Sequence, residues 1–425
     1  MQRRPVAGRL RPAARLRQRR AAAGPVPDRT VQTRLNTALE ITMRSAPRRA
    51  LCALLCLILA ACATPPQPEP DPPAQPAAPA PEPVQPVEPE LAVERAEPAL
   101  LEDSVAPAPQ RLRLAAVGDI MLGGSMREFV ERNGYDYPFD GVRELIRADL
   151  LIGNLEGPLT ESGAPMVKKK YLFRTPPSVA PALARAGFHA VNLANNHTLD
   201  FGAEGLYDTI TALDEAGVAH FGAGRDLAES RSGALLEVAG QRVGLLGYSN
   251  TFPEEFWATE INPGTAFGHA QQVREDVARL LAQSDLVVVS FHWGRERQTE
   301  LREYQPMLAR TAIDAGAALV IGHHPHVLQA VEHYRDGLIL YSMGNFTFGS
   351  YSPAARDSAV ALVDFEHGRA VRLEMAPIDV FNQRVLFQPQ PLQGAEATRV
   401  AEHLRQLSAA RGTELQVRDG RAVIE

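Results

Sequence analysis

The chain has 425 residues, of which 45% are hydrophobic and 22% are charged, so it can bury a large apolar core. Only two of the 50 acidic residues lie in 1–62, whereas 13 of the 44 basic residues do, which leaves residues 63–425 with a net charge of −17. Such an acidic surface repels polyanions and excludes nucleic acid as an expected partner. All three cysteines lie between 52 and 62, which excludes a disulfide scaffold and cysteine-based metal sites further along the chain.

The first patterned segment is an unbroken apolar run from Ala50 to Ala61, with three arginines shortly before it. A run of about a dozen residues, at about 1.5 Å each, is too short to cross a hydrocarbon core about 30 Å thick. The pattern is instead typical of a secretory signal. Its end, Leu-Ala-Ala-Cys62, resembles the lipobox of bacterial lipoproteins, in which the cysteine is lipidated. We therefore predict a lipoprotein signal peptide over 43–62, with lipidation at Cys62 and initiation at Met43. Residues 1–42 are then untranslated or misassigned.

Residues 63–110 contain fifteen prolines and nine acidic residues against the single Arg95. This composition buries too little apolar surface to fold and predicts an extended, disordered tether. The chain is thus expected to be an exported protein, anchored through Cys62 to a membrane, periplasmic or on the outer membrane. The tether would hold a folded domain, 111–425, away from the lipid surface.

From residue 111 onward, short β-branched or leucine-rich runs alternate with amphipathic segments, which indicates a layered α/β fold. The predicted strands are Leu112–Val117, Asp149–Ile152, Ala190–Leu193, Arg242–Tyr248, Leu286–Phe291, Ala318–Ile321, Leu338–Tyr341, Ala359–Phe365 and Ala370–Met375. The predicted helices are Pro176–Ala186, Ala203–Ala216, Gln271–Ala282, Tyr304–Ala315 and Ala395–Ala409, before a terminal strand pair.

The polar residues of interest follow the predicted strands, where α/β sheets collect their sites. They are Asp119, Asn154, Glu156, Asn195, Asn196, His197, His292, His323, His324, His326 and Asn345. A mixture of carboxylates, amide oxygens and imidazoles suits Mn²⁺, Fe or Zn²⁺ better than Ca²⁺, which prefers oxygen ligands alone. Two such metals about 4 Å apart could activate a water for phosphoester hydrolysis, with a nearby histidine protonating the leaving oxygen.

Six motifs in order, GDIMLGG, NLEGPLT, ANNHTLDFG, FHWGRE, GHHPHVLQAVE and YSMGNFTFG, resemble the bacterial capsule-synthesis (CapA, poly-γ-glutamate synthesis) family. That family is a branch of the calcineurin-like metallophosphoesterases, and the resemblance covers about 111 to 365. It implies a four-layer α/β/β/α sandwich with a site for divalent metal, two ions of Mn, Fe or Zn, at its rim.

The resemblance also implies residue roles. Asp119 matches the first metal-ligand aspartate, and Asn196 and His197 match a pair in which the asparagine binds metal and the histidine contacts substrate or acts as an acid. His292 matches the lone histidine ligand, and His323 and His326 are chosen for the final pair. We assign catalysis to His197, Asp119 and His292, and substrate binding to Lys169, Asn195 and Asn345.

Three departures from the superfamily pattern leave alternatives open. Asp119 is followed by Ile120 and Met121, so the usual Asp-x-His is absent. The bridging aspartate is also absent and must be replaced by Asn154 or Glu156, of which we favour Glu156 because a carboxylate compensates the charge of two cations. GHHPH offers two histidine spacings, so His324 stays a candidate ligand.

Structural roles are the alternative for each motif. Asp119 could cap a helix beginning near Gly124, Asn195 and Asn196 could be turn residues, and His292 could be a simple core histidine. The lysine run Lys168–Lys170 could be a solvated loop or could steer an anionic substrate.

The function predicted is that of a lipid-anchored envelope protein acting in synthesis, release or attachment of a capsule polymer such as poly-γ-glutamate. Its substrate would be an anionic polymer or a phosphoester, and its partners the membrane and a membrane synthesis complex. Two alternatives stay open: a non-catalytic assembly component of a polymer-export complex, and a general secreted metal-dependent phosphodiesterase.

Overall fold

A computed structural model describes residues 111–425 of the chain. The predictions for 1–42, the signal peptide 43–62, lipidation at Cys62 and the tether 63–110 lie outside the described residues. Within 111–425, no helix combines the length and the apolar character that crossing a membrane requires.

The described residues form eighteen strands. They are β1 Arg111–Met121, β2 Leu150–Leu155, β3 Ala190–Asn192, β4 Ala219–Phe221, β5 Ala223–Gly224, β6 Ala234–Val238, β7 Gln241–Ser249, β8 Gly264–Thr265, β9 Leu286–His292, β10 Leu319–His323, β11 Val331–Tyr334, β12 Gly337–Leu340, β13 Asn345–Phe348, β14 Asp357–Glu366, β15 Arg369–Asp379, β16 Gln390–Pro391, β17 Gln416–Arg418 and β18 Arg421–Ile424.

The same residues form nine α-helices and four short 3₁₀ turns. The helices are α1 Arg127–Asn133, α2 Tyr137–Asp140, α3 Ala180–Ala186, α4 Gly202–Ala216, α5 Leu227–Ser232, α6 Ala270–Leu281, α7 Tyr304–Asp314, α8 Asn382–Val385 and α9 Gly394–Ala409. The 3₁₀ turns are Gly124–Met126, Pro177–Val179, Glu254–Phe256 and Pro353–Ala355.

The strands build two large sheets and one small one. The larger sheet runs in the order β17-β18-β15-β14-β1-β2-β3-β4, with β13 beside β1 and β16 beside β15. The second sheet has the order β11-β12-β10-β9-β7-β6, and β5 pairs with β8. β1, β2, β3 and β4 are parallel, as are β7, β9, β10 and β12. Each large sheet therefore presents several strand carboxyl ends at one edge.

The two large sheets and the helices on their outer faces form four layers, because the central strands carry apolar residues on both faces. Leu112 and Leu114 of β1 lie in the core between the two sheets, whereas Ala115 and Val117 lie in the core beneath α3 and α4. In the second sheet, Val288 faces the first sheet, and its neighbours Val287 and Val289 join the core under α6 and α7. Because successive side chains of a strand point to opposite faces, each strand is covered on both sides. The predicted α/β class and α/β/β/α layering are confirmed.

Strand ends differ from the sequence prediction where the site lies. β1 continues to Met121, β2 to Leu155 and β10 to His323, so Asp119 and Asn154 sit inside strands rather than after them. The alternative that Asp119 caps a helix is wrong, because Gly123 is the residue that precedes the 3₁₀ turn Gly124–Met126. Backbone pairing with β2 and β13 extends β1 beyond its apolar run.

Candidate metal centre

Strand register brings the polar residues of the motifs together. Asp119 lies opposite Asn154 in the β1–β2 pair and opposite Asn345 in the β1–β13 pair, and His292 lies opposite His323 in the β9–β10 pair. Residues from distant parts of the sequence thus meet where the two sheets end. Gly118 makes this possible for β1, because a Cβ at that position would lie 2.0 Å from the carbonyl oxygen of Gly344.

Asp119 is fully buried and surrounded by donors. Its Oδ1 accepts a hydrogen bond from Asn154 Nδ2 at 2.9 Å, and its Oδ2 accepts one from the backbone N–H of His324 at 3.3 Å. His326 Nδ1 lies 3.0 Å from Oδ2, and His323 Nδ1 lies 3.4 Å from Oδ1. Burial favours a raised pKa for the Asp119 carboxyl, but the hydrogen bonds and charges of His323 and His326 outweigh it and hold that pKa well below its usual range. The carboxylate is therefore ionised.

Glu156 is also buried, with 1% of its surface exposed, but it is surrounded differently. Within 111–425, neither of its carboxyl oxygens has a hydrogen-bond partner. His326 Nε2 and His197 Nε2 lie 3.7 and 3.8 Å from Oε1, beyond hydrogen-bonding distance. Burial raises the pKa of Glu156 well above its usual range, and the charge of His326 offsets this only in part. A buried carboxyl without a partner is costly unless a cation accompanies it.

Asp119, Glu156 and His326 together can hold a metal ion. Each offers a ligand atom, and these atoms all lie within 4.8 Å of one another. Within 111–425, the buried oxygens of Glu156 have no hydrogen-bond partner, and a bound cation would satisfy their lone pairs. Two carboxylates and an imidazole form a ligand set suited to Mn²⁺, Fe²⁺ or Zn²⁺. The residues present therefore fit a divalent metal.

Asn154 is occupied by other side chains. Its Nδ2 donates to Asp119, and its Oδ1 accepts from Asn192 Nδ2 at 3.1 Å and from Asn195 Nδ2 at 3.3 Å. An amide with both ends engaged in this way orients its neighbours. Of the two candidates for the bridging position, the geometry favours Glu156, whose oxygens are free.

His292 and His324 form a second group of candidate ligands beside Asp119. His292 Nε2 lies 2.8 Å from Asn196 Oδ1 and 3.2 Å from His324 Nδ1, while its Nδ1 lies 3.2 Å from Asn154 Nδ2. Burial lowers the pKa of His292 well below its usual range and that of His324 to about 3. Both imidazoles are therefore neutral, which is the form that binds metal.

His326 and His324 adopt left-handed backbone conformations, with φ of 56° and 93°. Non-glycine residues in this region cost on the order of 1–3 kcal/mol and concentrate at functional sites. Burial lowers the pKa of His326, but Glu156 and Asp119 more than compensate and raise it to about 9. In the absence of metal, a proton on His326 thus places a positive charge beside the ionised Asp119 and the buried Glu156 carboxyl.

His197 is held by Asp200 and faces Glu156. Its Nδ1 lies 2.6 Å from Asp200 Oδ2, and its ring stacks on Phe173 with centroids 3.9 Å apart. Burial lowers the pKa of His197, an effect that the Asp200 carboxylate opposes. Since Asp200 fixes Nδ1, the free Nε2 is turned towards the candidate metal ligands. Because Nδ1 donates its hydrogen to the Asp200 carboxylate, Nε2 of the neutral ring carries a lone pair that can take up a proton and return it to a substrate.

The three predicted substrate-binding residues have different surroundings. Lys169 is 18% exposed, forms an ion pair of 2.7 Å with Asp200 and donates to the backbone oxygen of Asn196. Asn195 is fully buried, and its Nδ2 donates to Leu155 O at 2.8 Å. These contacts favour a positioning role for both residues. Asn345 contacts a candidate metal ligand directly, because its Oδ1 lies 2.9 Å from His326 Nδ1.

Two cavities open beside these residues. One, of about 310 Å³, is lined by His197, His326 and Asn345 and by an aromatic wall. The other, of about 620 Å³, reaches His324. Glu296 and Arg297 line both cavities, so a substrate has access to the centre from two sides.

Sequence reasoning missed two residues that support the centre. Asn192 and Asp200 hold Asn154 and His197, yet neither was singled out. Asp200 had a usable signal, because it follows His197 by three residues in the same turn. Asn192 had none, since a single asparagine at the end of an apolar strand has no distinctive pattern.

The chain is similar to a family and to two proteins whose descriptions all refer to capsule or PGA synthesis. A family model described as "Bacterial capsule synthesis protein PGA_cap" matches residues 113–350. The capsule biosynthesis protein CapA of Bacillus anthracis is 33% identical over 290 residues, covering 65% of this chain and 71% of that protein. The PGA biosynthesis protein CapA of Bacillus subtilis (strain 168) is 30% identical over 317 residues, covering 74% and 82%. The resemblance seen in the six motifs is confirmed.

Solved structures give weaker similarities. The NAD nucleotidase NadN of Haemophilus influenzae has a TM-score of 0.41 at 12% identity, covering 70% of this chain and 62% of that chain. The calcineurin-like phosphoesterase YfkN of Bacillus subtilis has a TM-score of 0.39 at 13% identity, covering 70% and 97%. Scores this low support no conclusion about activity.

Proposed function

This chain belongs to the bacterial capsule synthesis protein family PGA_cap, and from that premise we propose that it is a metal-dependent hydrolase of the cell envelope. Its substrate would be a phosphoester or related bond, cleaved during synthesis, release or attachment of an anionic capsule polymer such as poly-γ-glutamate. Two relatives bear names that refer to capsule biosynthesis and PGA biosynthesis. Extending that process to this chain is part of the proposal.

A single observation carries the hydrolase proposal: a buried, unpartnered carboxyl, Glu156, lies beside the ionised Asp119 and beneath two imidazoles. A purely structural core would pair this carboxyl with a donor or replace it with an apolar residue. Retaining it with free oxygens is the arrangement expected of a cation site.

Asp119, Glu156 and His326 would hold the first divalent ion, with His292, Asn196, His323 and His324 as the candidates that complete one or two sites. A bound Mn²⁺, Fe²⁺ or Zn²⁺ supplies a water of lowered pKa and stabilises negative charge on the substrate oxygens. Asn154 keeps Asp119 oriented, and Asp200 keeps His197 Nε2 facing the site. His197 Nε2 would take up a proton released by the attacking water and return it to the leaving oxygen.

The test of the hydrolase proposal is hydrolysis of bis(p-nitrophenyl) phosphate by the purified chain with Mn²⁺. We expect turnover that falls by about 10²–10⁴ in His197→Asn, as for loss of a group that takes up and returns a proton. His333→Ala, an exposed histidine away from the centre, is the matched control and should behave as wild type. No turnover by wild type on this diester or on capsule polymer would favour the assembly-component alternative. Turnover of the diester with no effect on polymer would favour a general phosphodiesterase.

We also propose that the protein is exported and anchored to a membrane through lipid on Cys62, where it works with a membrane synthesis complex. The support is the lipobox-like sequence Leu-Ala-Ala-Cys62 followed by a proline-rich, acidic stretch. Metabolic labelling with a palmitate analogue should mark wild type and Cys56→Ser but not Cys62→Ser. Equal labelling of Cys62→Ser would contradict the anchor.

A further inference from the structure

The cavity of about 310 Å³ beside the candidate metal centre is lined in part by residues that have no role in the proposed reaction. His197, His326 and Asn345 form its inner end, and Tyr171 and Tyr351 are among the residues that line the rest. Tyr171 is 59% exposed and Tyr351 is 47% exposed. One exposed aromatic side chain is ordinary, but two that line one cavity beside reactive groups form an accessible apolar surface, even though Tyr351 also packs edge to face on Phe387 with centroids 5.6 Å apart. Such surfaces are typical of ligand-binding sites.

The other aromatic rings of the wall already have partners. Phe173 stacks on the imidazole of His197 at 3.9 Å, and Phe348 lies 4.8 Å from the ring of His326. The two phenylalanine rings meet edge to face at 5.6 Å. They therefore hold the two histidines in place, and the exposed parts of the two tyrosine rings are left for a ligand.

Positive charge lies next to the tyrosines. Lys170 Nζ is 4.8 Å from the centre of the Tyr171 ring, and Arg297 lines the cavity beside one acidic residue, Glu296. Neither side chain forms an ion pair with any residue in 111–425, although most arginines of this acidic domain do. Arg297 has a left-handed backbone with φ of 58°, and its N–H donates to Pro325 O at 2.7 Å. The arginine is thereby fixed beside the histidine segment.

We propose that this cavity is a subsite for a phosphoester whose alcohol or second ester group carries a ring with an apolar face, either a sugar or a nucleobase. The faces of Tyr171 and Tyr351 bind the ring, and Lys170 and Arg297 bind the negative charge next to it. Both a sugar ring and a base present an apolar face to an aromatic side chain, whereas a polyglutamate backbone does not. The proposal deepens the proposed function and rests on it, because it identifies the group held beside the bond to be cleaved.

The experiment measures equilibrium binding to the full chain by calorimetry, with and without Mn²⁺. The probes are N-acetylglucosamine 1-phosphate, adenosine monophosphate, the ring-free glycerol 3-phosphate and a tri-γ-glutamyl peptide. We expect at least one ring-bearing phosphate to bind about tenfold more tightly than glycerol 3-phosphate, the size of one or two aromatic contacts. Which of the two binds distinguishes a sugar from a base.

Variants connect that preference to the tyrosines. Tyr171→Ala and Tyr351→Ala should each lose most of the preference and keep the affinity for glycerol 3-phosphate. Tyr207→Ala is the matched control, because Tyr207 is 37% exposed on α4 and does not line the cavity. Equal binding of ring-bearing and ring-free probes, or a preference that survives in both tyrosine variants, would overturn the proposal. Loss of hydrolysis or metal with ring binding intact would count against the proposed function alone, since the binding is also measured without metal.

Discussion

Nε2 of His326 lies 3.7 Å from Oε1 of Glu156, while Nδ1 of the same ring lies 3.0 Å from Oδ2 of Asp119. One imidazole therefore contacts one buried carboxylate and lies near a second buried carboxyl group, and no side chain among residues 111–425 reaches the Glu156 oxygens within hydrogen-bonding distance. Since the pKa of His326 is raised to about 9, the metal-free protein keeps a proton there. A divalent ion bound there would supply the positive charge that this proton supplies in the metal-free protein.

Replacing the Asp200 carboxylate tests how His197 is oriented. In Asp200→Asn, the partner of His197 Nδ1 keeps its size but loses its charge, so the imidazole is less firmly held and less basic. We expect kcat for bis(p-nitrophenyl) phosphate to fall about 10- to 100-fold, the usual effect of removing such a partner, with unchanged metal content. Asp214→Asn, an exposed aspartate on α4, is the control. A KM effect without a kcat effect would argue against this positioning role.

Adding a side chain at Gly118, where β1 and β13 approach closely, should shift the backbone beside the candidate metal centre. A methyl group in Gly118→Ala would meet the Gly344 carbonyl oxygen at 2.0 Å, which forces β1 and β13 apart next to Asp119 and Asn345. We expect a loss of about 1–3 kcal/mol in the free energy of unfolding, measured in urea, together with weaker metal binding. Gly205→Ala, whose Cβ would have its nearest neighbour at 3.2 Å in a helix, should cost clearly less. Equal costs would show that strand spacing at Gly118 is not critical.

A structural ion-pair network that contains none of the candidate metal ligands should set part of the pH dependence of stability. Burial favours a raised pKa for Glu332, but Tyr341, Arg310 and Arg411 bind its carboxylate and bring the pKa below its ordinary value of 4.5. The network's contribution is therefore complete above pH 4.5 and is lost as pH falls through the lowered folded-state pKa.

Glu332→Gln is the variant that measures this contribution. We expect it to lose about 1–3 kcal/mol at pH 7, less than for a fully buried pair because Arg310 is 40% exposed and screened by solvent. The difference from wild type should shrink below pH 4.5. Glu366→Gln, which breaks the exposed pair with Arg111, should change stability by less than about 1 kcal/mol. A wild-type difference that grows as pH falls would contradict this assignment.

The fold could be predicted well where burial produces a regular pattern. Central strands such as β9 are apolar on both faces, so the predicted Leu286–Phe291 differs from the observed Leu286–His292 by one residue. The strands that sequence reasoning missed lack this signal. β6, Ala234–Val238, is half-exposed at the edge of its sheet, and β13 is four residues held beside β1 by tertiary pairing.

Sequence reasoning identified most of the polar residues of the centre because they follow apolar strands in ordered motifs. It could not separate ligands from supports, since that depends on which hydrogen bonds are already used. Asn154 and Glu156 were both candidates for the bridging position, and the difference between them is that Asn154 is bonded at both ends while Glu156 is free. Burial and partner geometry are properties of the folded chain.

Asp119, Glu156 and His326 are the three residues proposed to hold a metal ion. The most direct measurement is metal content by mass spectrometry on the purified chain after dialysis against Mn²⁺, Fe²⁺ or Zn²⁺. Wild type and the His333→Ala control are compared with Glu156→Gln, which keeps the size of the side chain and removes its charge. We expect at least one tightly held ion per chain in wild type and in the control. Glu156→Gln should lose that ion while circular dichroism shows an intact fold. The same metal content in Glu156→Gln as in wild type, or no metal in any sample, would contradict this expectation.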